Sequence, residues 1–134
     1  MITNKIVARY QNGRVMKGFT NDFMPGREFL HLLPPDGQPE TKPFPINIPE
    51  LKAIFFVKDF HGDSQYKEIK VFDEKKPVSA RKIRVLFKDG ELLMGTTQGY
   101  QLGRQGFFVF PADPMDNNER CYVISSATKE VRFI

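Results

Sequence analysis

The stretch "KDGELLMG", residues 88–95, decides the fold of this protein. Two apolar-rich runs flank Asp89-Gly90, a dipeptide that predicts a tight β-hairpin with a two-residue turn and positive φ angles. The same pattern occurs earlier in the chain as "QNGRVMKG", residues 11–18, with Asn12-Gly13 at the turn. The sequence therefore contains one hairpin pattern twice, which indicates an internal repeat.

The repeat extends well beyond the hairpin when the chain is aligned with itself at an offset of 77 residues. Residues 5–57 then pair with residues 82–134 without a gap, with 11 identities in 53 positions. Roughly three identities are expected by chance from average residue usage. The identical pairs are Lys5/Lys82, Ile6/Ile83, Gly13/Gly90, Gly18/Gly95, Thr20/Thr97, Gly26/Gly103, Arg27/Arg104, Pro34/Pro111, Asp36/Asp113, Lys52/Lys129 and Phe56/Phe133. Because glycine and proline serve backbone geometry, these pairs predict shared turns.

Each copy is predicted to form five short strands, which makes the fold class all-β. Along residues 5–10, Ile6, Ala8 and Tyr10 alternate with Lys5, Val7 and Arg9, the period of a half-buried strand. Gly18 and Gly95 lie inside strand patterns, where glycine often marks a bulge or a bend. A bent second strand and a short break before the last strand favour a small closed barrel. We therefore expect two tandem five-stranded barrels of the SH3-like or Sm-like type.

The expected domains are a first barrel at 1–57, a connecting segment at 58–80 and a second barrel at 81–134. The connecting segment has no counterpart in the repeat, and its charge together with Pro77 predicts a surface path anchored on the barrels. A barrel of about fifty residues is marginal alone, so two copies that share an apolar interface stabilise each other.

Composition narrows the class of protein. The chain has 134 residues, 40% of them apolar, and its single cysteine, Cys121, excludes an intramolecular disulfide and a Cys-based zinc site. It shows neither a membrane-helix pattern nor a signal-peptide pattern, so we expect a soluble cytoplasmic protein without a membrane partner. The net charge of +4 is spread along the chain, with +2 in residues 1–60, 0 in 61–80 and +2 in 81–134. This distribution weakens a nucleic-acid interpretation.

Three phrases carry a family resemblance: "FFVKDFHGD" (55–63), "GTTQGYQ" (95–101) and "FFVFPADPMDNNER" (107–120). Together they resemble a bacterial family of about this length, seen mostly in signalling-rich bacteria of the Geobacter type, that has no established activity. The resemblance implies a non-enzymatic, all-β accessory or regulatory module. The two hairpins are also similar to the first signature hairpin of Sm-like proteins.

A looser similarity links the chain to PilZ barrels, which bind cyclic di-GMP through Arg-x-x-x-Arg and (Asp/Asn)-x-Ser-x-x-Gly. Arg81, Lys82 and Arg84 enter the second barrel, and guanidinium groups suit phosphate and guanine edges. The spacing here is Arg-x-x-Arg, and residues 98–103 keep only the final glycine of the second motif. These three residues are the candidates for an alternative function, the binding of a nucleotide such as cyclic di-GMP or of nucleic acid.

Arg27 and Arg104 form a second candidate pair, since each follows a glycine and precedes a strand. One interpretation is an anion or phosphate contact in each barrel. The interpretation that we favour is structural, with the arginine stem on an apolar barrel end and the head paired with a carboxylate. Asp36 and Asp113, which follow prolines, are predicted turn formers.

No constellation of catalytic residues emerges from the sequence. His61, Asp63 and Ser64 include the residue types of a hydrolase triad, but neighbours in one loop cannot adopt the relay geometry. His31, alone in an apolar strand, is expected to be a core or rim residue. We therefore expect no enzyme, no cofactor and no metal.

The function that we favour is a non-catalytic interaction or adaptor module of bacterial regulation, which binds a protein or peptide. The oligomeric state stays open. Several aromatic residues fit base stacking, a peptide groove or packing between the barrels, and we favour the packing. These are Tyr10, Phe19, Phe23, Phe55, Phe72, Tyr100 and Phe108.

Overall fold

The fold is described by a computed structural model that covers residues 3–35, 42–60, 81–113 and 115–134. In this part of the chain there are ten β-strands, two 3-10 turns and no α-helix, which confirms the all-β class. The strands are β1 (Asn4–Tyr10), β2 (Val15–Thr20), β3 (Phe29–Leu32), β4 (Phe44–Asn47), β5 (Leu51–Val57), β6 (Arg81–Phe87), β7 (Leu92–Thr97), β8 (Gly106–Pro111), β9 (Asn118–Ile124) and β10 (Thr128–Phe133). Over the same residues, no helix has the length and apolarity needed to cross a membrane.

The internal repeat reappears in the bounds of these elements. Shifted by 77 residues, β1 and β2 coincide with β6 and β7 at both ends. The 3-10 turn at Ile48–Glu50 coincides in the same way with the turn at Ser125–Ala127. Five strands in the same order therefore occur in each copy. Of the expected connecting segment, residues 61–80 lie outside the described residues.

Both hairpin turns contain three residues, so the predicted two-residue turns are wrong. In the first copy the amide of Gly13 donates to the carbonyl of Tyr10 at 3.1 Å, and the amide of Tyr10 donates to the carbonyl of Arg14 at 2.8 Å. Gly13 and Gly90 both have φ of +93°, and no other residue type has positive φ in the described residues. This is the three-residue loop in which a left-handed glycine closes a type I turn.

Side-chain hydrogen bonds explain why the longer turn is preferred. The Oδ1 atom of Asn12 accepts the amide of Arg14 at 2.9 Å. The Oδ1 atom of Asp89 accepts the amide of Glu91 at the same distance. A short polar side chain that binds the backbone two residues ahead stabilises a right-handed turn at its own position, so that only the glycine becomes left-handed.

The glycines inside the second strands permit a close approach of the next strand. A Cβ atom on Gly18 would lie 2.4 Å from the carbonyl oxygen of Leu33, and one on Gly95 would lie 2.1 Å from that of Phe110. Leu33 and Phe110 are related by the same 77-residue offset. Both copies therefore require glycine for the same packing reason, and the register of β1 with β2 shows no bulge at Gly18.

The strands form one eight-stranded sheet and one two-stranded sheet. The order of the large sheet is β10-β6-β7-β8-β9-β5-β1-β2, and β3 pairs with β4 in the small one. The sheet continues from one copy into the other through the pairing of β9 with β5, and its two end strands do not pair with each other. The strand pairing therefore does not show the two tandem closed barrels that we expected. Cross-copy pairing uses backbone groups that would otherwise close each half on itself.

Two apolar cores lie on either side of β5 and β9, and both strands contribute to each core. Ile54 and Phe56 of β5 enter the first core, whereas Phe55 and Val57 enter the second. Tyr122 of β9 likewise belongs to the first core, most of whose members come from the first copy. All seven residues of β5 are buried as a result, so each copy depends on the other for its core.

Aromatic rings from both copies meet where β5 pairs with β9. The centroid of the Phe23 ring lies 5.7 Å from that of Phe56, 6.2 Å from that of Phe108 and 5.0 Å from that of Tyr122. Edge-on arrangements at these distances are favourable between aromatic rings. Phe23 and Phe108 therefore contribute to the packing between the copies. Phe72 lies outside the described residues.

A buried lysine also joins the copies. The Nζ atom of Lys52 lies 2.7 Å from Oδ2 of Asp89 and 2.6 Å from Oε1 of Glu91. The same ammonium lies 4.6 Å from the centre of the Phe87 ring, and the lysine side chain is only 8% exposed. A strand of the first copy is thereby tied to the hairpin of the second.

Candidate protein-binding edge

Strand β10 is an edge strand of the eight-stranded sheet. In the described part of the chain it pairs only with β6. The amide of Ile134 donates to the carbonyl of Lys82 at 3.1 Å, and Arg132 pairs with Arg84 two residues earlier. Because hydrogen-bonding direction alternates along an antiparallel strand, the amides and carbonyls of Val131 and Phe133 point away from β6.

The first copy shows what such an edge accepts. Strand β5 stands at the position of β10 in the repeat, and β9 pairs with it through Ile54 opposite Tyr122 and Phe56 opposite Arg120. Val131 and Phe133 are the counterparts of Ile54 and Phe56. The open edge of β10 therefore presents the backbone groups that in β5 hold a neighbouring strand.

The counterpart of β9 is β4, and prolines close its outer edge. The amide of His31 donates to Oδ1 of Asp22 at 3.0 Å, so His31 and Pro45, which lie opposite each other, form a pair without hydrogen bonds. The nitrogen of Pro45 then faces the outer edge, and Pro43 stands directly before the strand. Proline has no N–H, and prolines at these positions prevent the addition of a strand.

Cationic side chains accompany the open edge of β10. Lys82 and Arg84 alternate with the buried Ile83 along β6, so they lie on the outer face of the sheet. Arg132 of β10 is directly opposite Arg84 and shares that face. The guanidinium of Arg81 lies 3.4 Å from the centre of the Phe133 ring. We call the backbone of residues 131–133 with the side chains of Arg81, Lys82, Arg84 and Arg132 the cationic edge.

In the described part of the chain, one carboxylate lies within this surface. Glu130 of β10 forms an ion pair with Arg132, and both side chains are largely exposed. Exposed pairs of this kind contribute little and exchange readily with other partners, because water screens them. Among the described residues, Arg81, Arg84 and Arg132 accompany this one carboxylate, which makes the cationic edge suited to an anionic partner.

The structure gathers three of the five predicted site residues, Arg81, Lys82 and Arg84, on β6, and places the other two in loops. The Nη1 atom of Arg27 donates to the backbone carbonyl of Asp22 at 3.0 Å. The Nε atom of Arg104 donates to Oε1 of Gln101 at 2.8 Å. Both arginine heads thus bind neutral loop groups, whereas we expected carboxylates.

The loops that carry Arg27 and Arg104 touch each other. Nε2 of Gln105 donates to the carbonyl of Arg27 at 2.8 Å, and Oε1 of Gln105 accepts the amide of Gly26 at 3.2 Å. The phenol of Tyr122 donates to the same oxygen at 3.0 Å. Gln105 thereby ties the loop of the first copy to the second, which favours a structural role for this region.

Sequence reasoning missed Arg132, because attention to identical pairs in the repeat passes over positions that differ. The signal was present in the alignment: Val7 pairs with Arg84, and Phe55 with Arg132. An apolar residue in one copy and an arginine at the same strand position in the other indicates a face that is buried once and exposed once.

The candidate catalytic and turn residues have plain structural roles where they are described. Nδ1 of the exposed His31 lies 2.7 Å from Oδ2 of Asp22. Burial raises the pKa of the Asp22 carboxyl, but its hydrogen bonds with His31 and Thr20 outweigh burial and lower the pKa overall. Oδ1 of Asp113 accepts the amide of Met115 at 2.9 Å, which confirms a turn role.

The remaining candidates, Asp36, His61, Asp63 and Ser64, lie outside the described residues. Across the ranges that are described, no three histidine, cysteine or acidic residues form a group that could hold a metal ion.

Comparison with known proteins gives a family. Residues 2–134 match the family described as "Family of unknown function (DUF6982)". The chain belongs to this family. No curated protein and no solved structure matches the chain. Membership over nearly the whole length agrees with the resemblance found in the sequence, while the bacterial source and the SH3-like, Sm-like and PilZ likenesses stay predictions.

Proposed function

We propose that the protein is a non-catalytic interaction module that binds an extended segment of a partner protein. The segment adds to β10 as a further strand at the cationic edge. The observation that carries this proposal is the pairing of β9 with β5, because β5 and β10 hold the same place in the two copies. Where β5 has β9, β10 has no strand among the described residues.

An open strand edge is a strong template for an extended peptide. Unpaired amide and carbonyl groups supply main-chain hydrogen bonds, and side chains beside the edge supply specificity. Proteins usually blunt exposed edges with proline or a bulge, because such edges promote aggregation. Pro45, with Pro43 just before the strand, protects β4 in this way, whereas β10 ("TKEVRF") contains no proline and its register irregularity, between Thr128 and Glu130, precedes residues 131–133. This contrast supports a binding role for β10.

A nucleotide or nucleic-acid ligand is the alternative. Arg81, Lys82 and Arg84 on one strand favour it, because arginine and lysine bind phosphates. The open backbone of β10 is better suited to a peptide, because a nucleic acid cannot form the main-chain hydrogen bonds of a β-strand with its amides and carbonyls. We also attribute the stacking of Arg81 on Phe133 to a peptide-binding edge.

The experiment that tests the proposal uses a proline as an edge block. Val131→Pro removes an outward amide of β10 and none of the hydrogen bonds with β6, but it also removes the packing of the Val131 side chain on the second core. Peptides selected from a random seven-residue display library on the wild-type protein are expected to lose binding to Val131→Pro. Val15→Pro is the matched control, because it removes an outward amide from β2 at the other end of the sheet. That variant should keep the affinity.

Amide NMR shifts of the wild-type protein give a second readout that needs no variant. The largest peptide-induced changes are expected at the amides of Val131 and Phe133. Peptides that bind Val131→Pro as well as the wild type, or shift changes confined to other strands, would overturn the proposal.

A further inference from the structure

The outer face of the cationic edge contains two like charges directly opposite each other. Arg84 and Arg132 form a cross-strand pair, and both side chains are exposed. Like charges directly opposite each other destabilise a sheet. The same positions in the first copy hold Val7 and Phe55, which are buried in the second core. The arginine pair is therefore specific to the second copy and has no counterpart in the first.

A second copy of this chain is a poor occupant of the edge. If two β10 strands paired about a two-fold axis, the Arg84/Arg132 pairs of both copies would lie on the same face of one continuous sheet. This would add repulsion between like charges. Strand β4 of the small sheet lacks an outward amide at Pro45, and β2, at the other end of the large sheet, already bonds to Leu33 through Phe19. The occupant that fits is a different chain.

We propose that this occupant is an acidic extended segment in which carboxylates alternate with apolar residues. This inference rests on the proposed strand addition at β10. Alternate side chains of an added strand lie on the outer face, beside Arg84 and Arg132, where carboxylates offset the repulsion between the two guanidinium groups.

The other side chains of the added strand lie on the opposite face, next to Val131 and Phe133. Val131 packs against the second core, and the ring of Phe133 lies 5.6 Å from that of Tyr100. Val131 is partly buried, and Phe133 is exposed, with the Arg81 guanidinium against its ring. Apolar residues at every second position of the segment therefore extend this packing.

The probe is a capped seven-residue peptide of alternating glutamate and valine, measured by calorimetry on the full chain at physiological salt. Versions with glutamine or lysine in place of glutamate vary only the charge. We expect the glutamate peptide to bind at least tenfold more tightly than the glutamine peptide and the lysine peptide to show no binding. Affinity for the glutamate peptide should also fall as salt rises, which is a readout on the unaltered protein.

Charge reversal at the edge should reverse the preference. Arg84→Glu/Arg132→Glu is expected to bind the lysine peptide more tightly than the glutamate peptide. The matched control, Arg27→Glu/Arg104→Glu, changes the net charge equally at exposed loop positions and should leave the preference for glutamate intact.

A glutamate peptide N-methylated on the residues that would bond to β10 separates the two proposals. If it binds as tightly as the unmodified peptide, strand addition itself is wrong. If N-methylation abolishes binding but the three charge versions bind equally, strand addition stands and the acidic segment is wrong. Binding of none of the peptides overturns the acidic segment.

A mixed-sequence ten-nucleotide single strand serves as the remaining probe. If it binds at physiological salt with an affinity that the charge-reversed variant loses, while the peptides do not bind, both proposals are wrong and the nucleic-acid alternative holds.

Discussion

The two copies of the repeat share their turns but differ on one face of the first and last strands, β1 and β5 in the first copy and β6 and β10 in the second. Gly13 and Gly90 have the same φ, and the second strands need glycine for the same close approach. The outer face of β1 and β5, by contrast, is apolar at Val7 and Phe55, whereas β6 and β10 carry Arg84 and Arg132 there. The first face is buried against the second copy, and the second face meets solvent.

The two copies also differ at β4 and β9, which hold the same place in the repeat. Tyr122 and Ile124 of β9 pack into the first core, while their counterparts in β4 are Pro45 and Asn47. Terminal units of repeat proteins have polar outer faces that stop further stacking. The two copies therefore differ at both ends of the sheet array, with Arg84 and Arg132 at one end and Pro45 and Asn47 at the other.

The largest expected effect comes from separating the copies. A fragment of residues 1–60 lacks β9 and the second core, and it would expose Phe55 and Val57 of β5 to water. A domain this small also buries little surface alone. We expect the fragment to be unfolded or aggregated at a concentration where the full chain is soluble, as judged by the dispersion of its NMR spectrum and by thermal melting. A dispersed spectrum with a cooperative melt would show that the copies fold independently.

The sequence predicted the repeat, the strands and the class because each depends on local signals. The alternation of side chains predicted strands β1 and β6, and the glycines paired at the 77-residue offset predicted the positions of the turns. The turn length was missed because Asn12 and Asp89 bind the backbone two residues ahead, which stabilises a longer loop than the dipeptide alone suggests.

The strand order and the candidate site were harder to predict, because both depend on contacts between the copies. Alignment of two copies treats each as complete, and nothing local indicates that β9, besides pairing with β8 of its own copy, also pairs with β5 of the other. The basic residues of β6 were found as a motif. Arg132 was found only when the pairing of β10 with β6 placed it opposite Arg84.

Lys52 and Lys129 offer a sharper test, since they are identical in the repeat and differ in burial. Lys52 is buried with Asp89 and Glu91 as partners, whereas Lys129 is exposed. Lys52→Ala loses the packing of the lysine stem and both ion pairs, so a destabilisation of about 2 kcal/mol is expected. Lys129→Ala should change stability by no more than about 0.5 kcal/mol.

Urea denaturation of both lysine variants gives these differences, provided the slopes agree. Equal losses in the two variants would mean that Lys52 does not link the copies.

The smallest expected effect is a pH dependence confined to the second hairpin. A hydrogen bond from Lys52 holds the pKa of the Asp89 carboxyl below its usual range, aided by the amide of Glu91. A carboxyl whose pKa is lower in the folded state stabilises the protein above its unfolded pKa of about 4, and this contribution is lost as the pH falls through the folded pKa. Asp89 is 53% exposed, so screening by water limits the contribution to less than about 1 kcal/mol.

Asp89→Asn gives the second hairpin the residue that stands in the first, Asn12, and keeps the turn oxygen while removing the charge. The variant should be slightly less stable than the wild type at neutral pH, and the difference should shrink as the pH falls through the folded pKa of Asp89, because the wild-type carboxyl then loses its charge. Urea midpoints measured from pH 7 to pH 2 provide the comparison. A stability difference that is constant across this range would show that the turn, and not the ion pair with Lys52, accounts for the choice of aspartate in one copy and asparagine in the other.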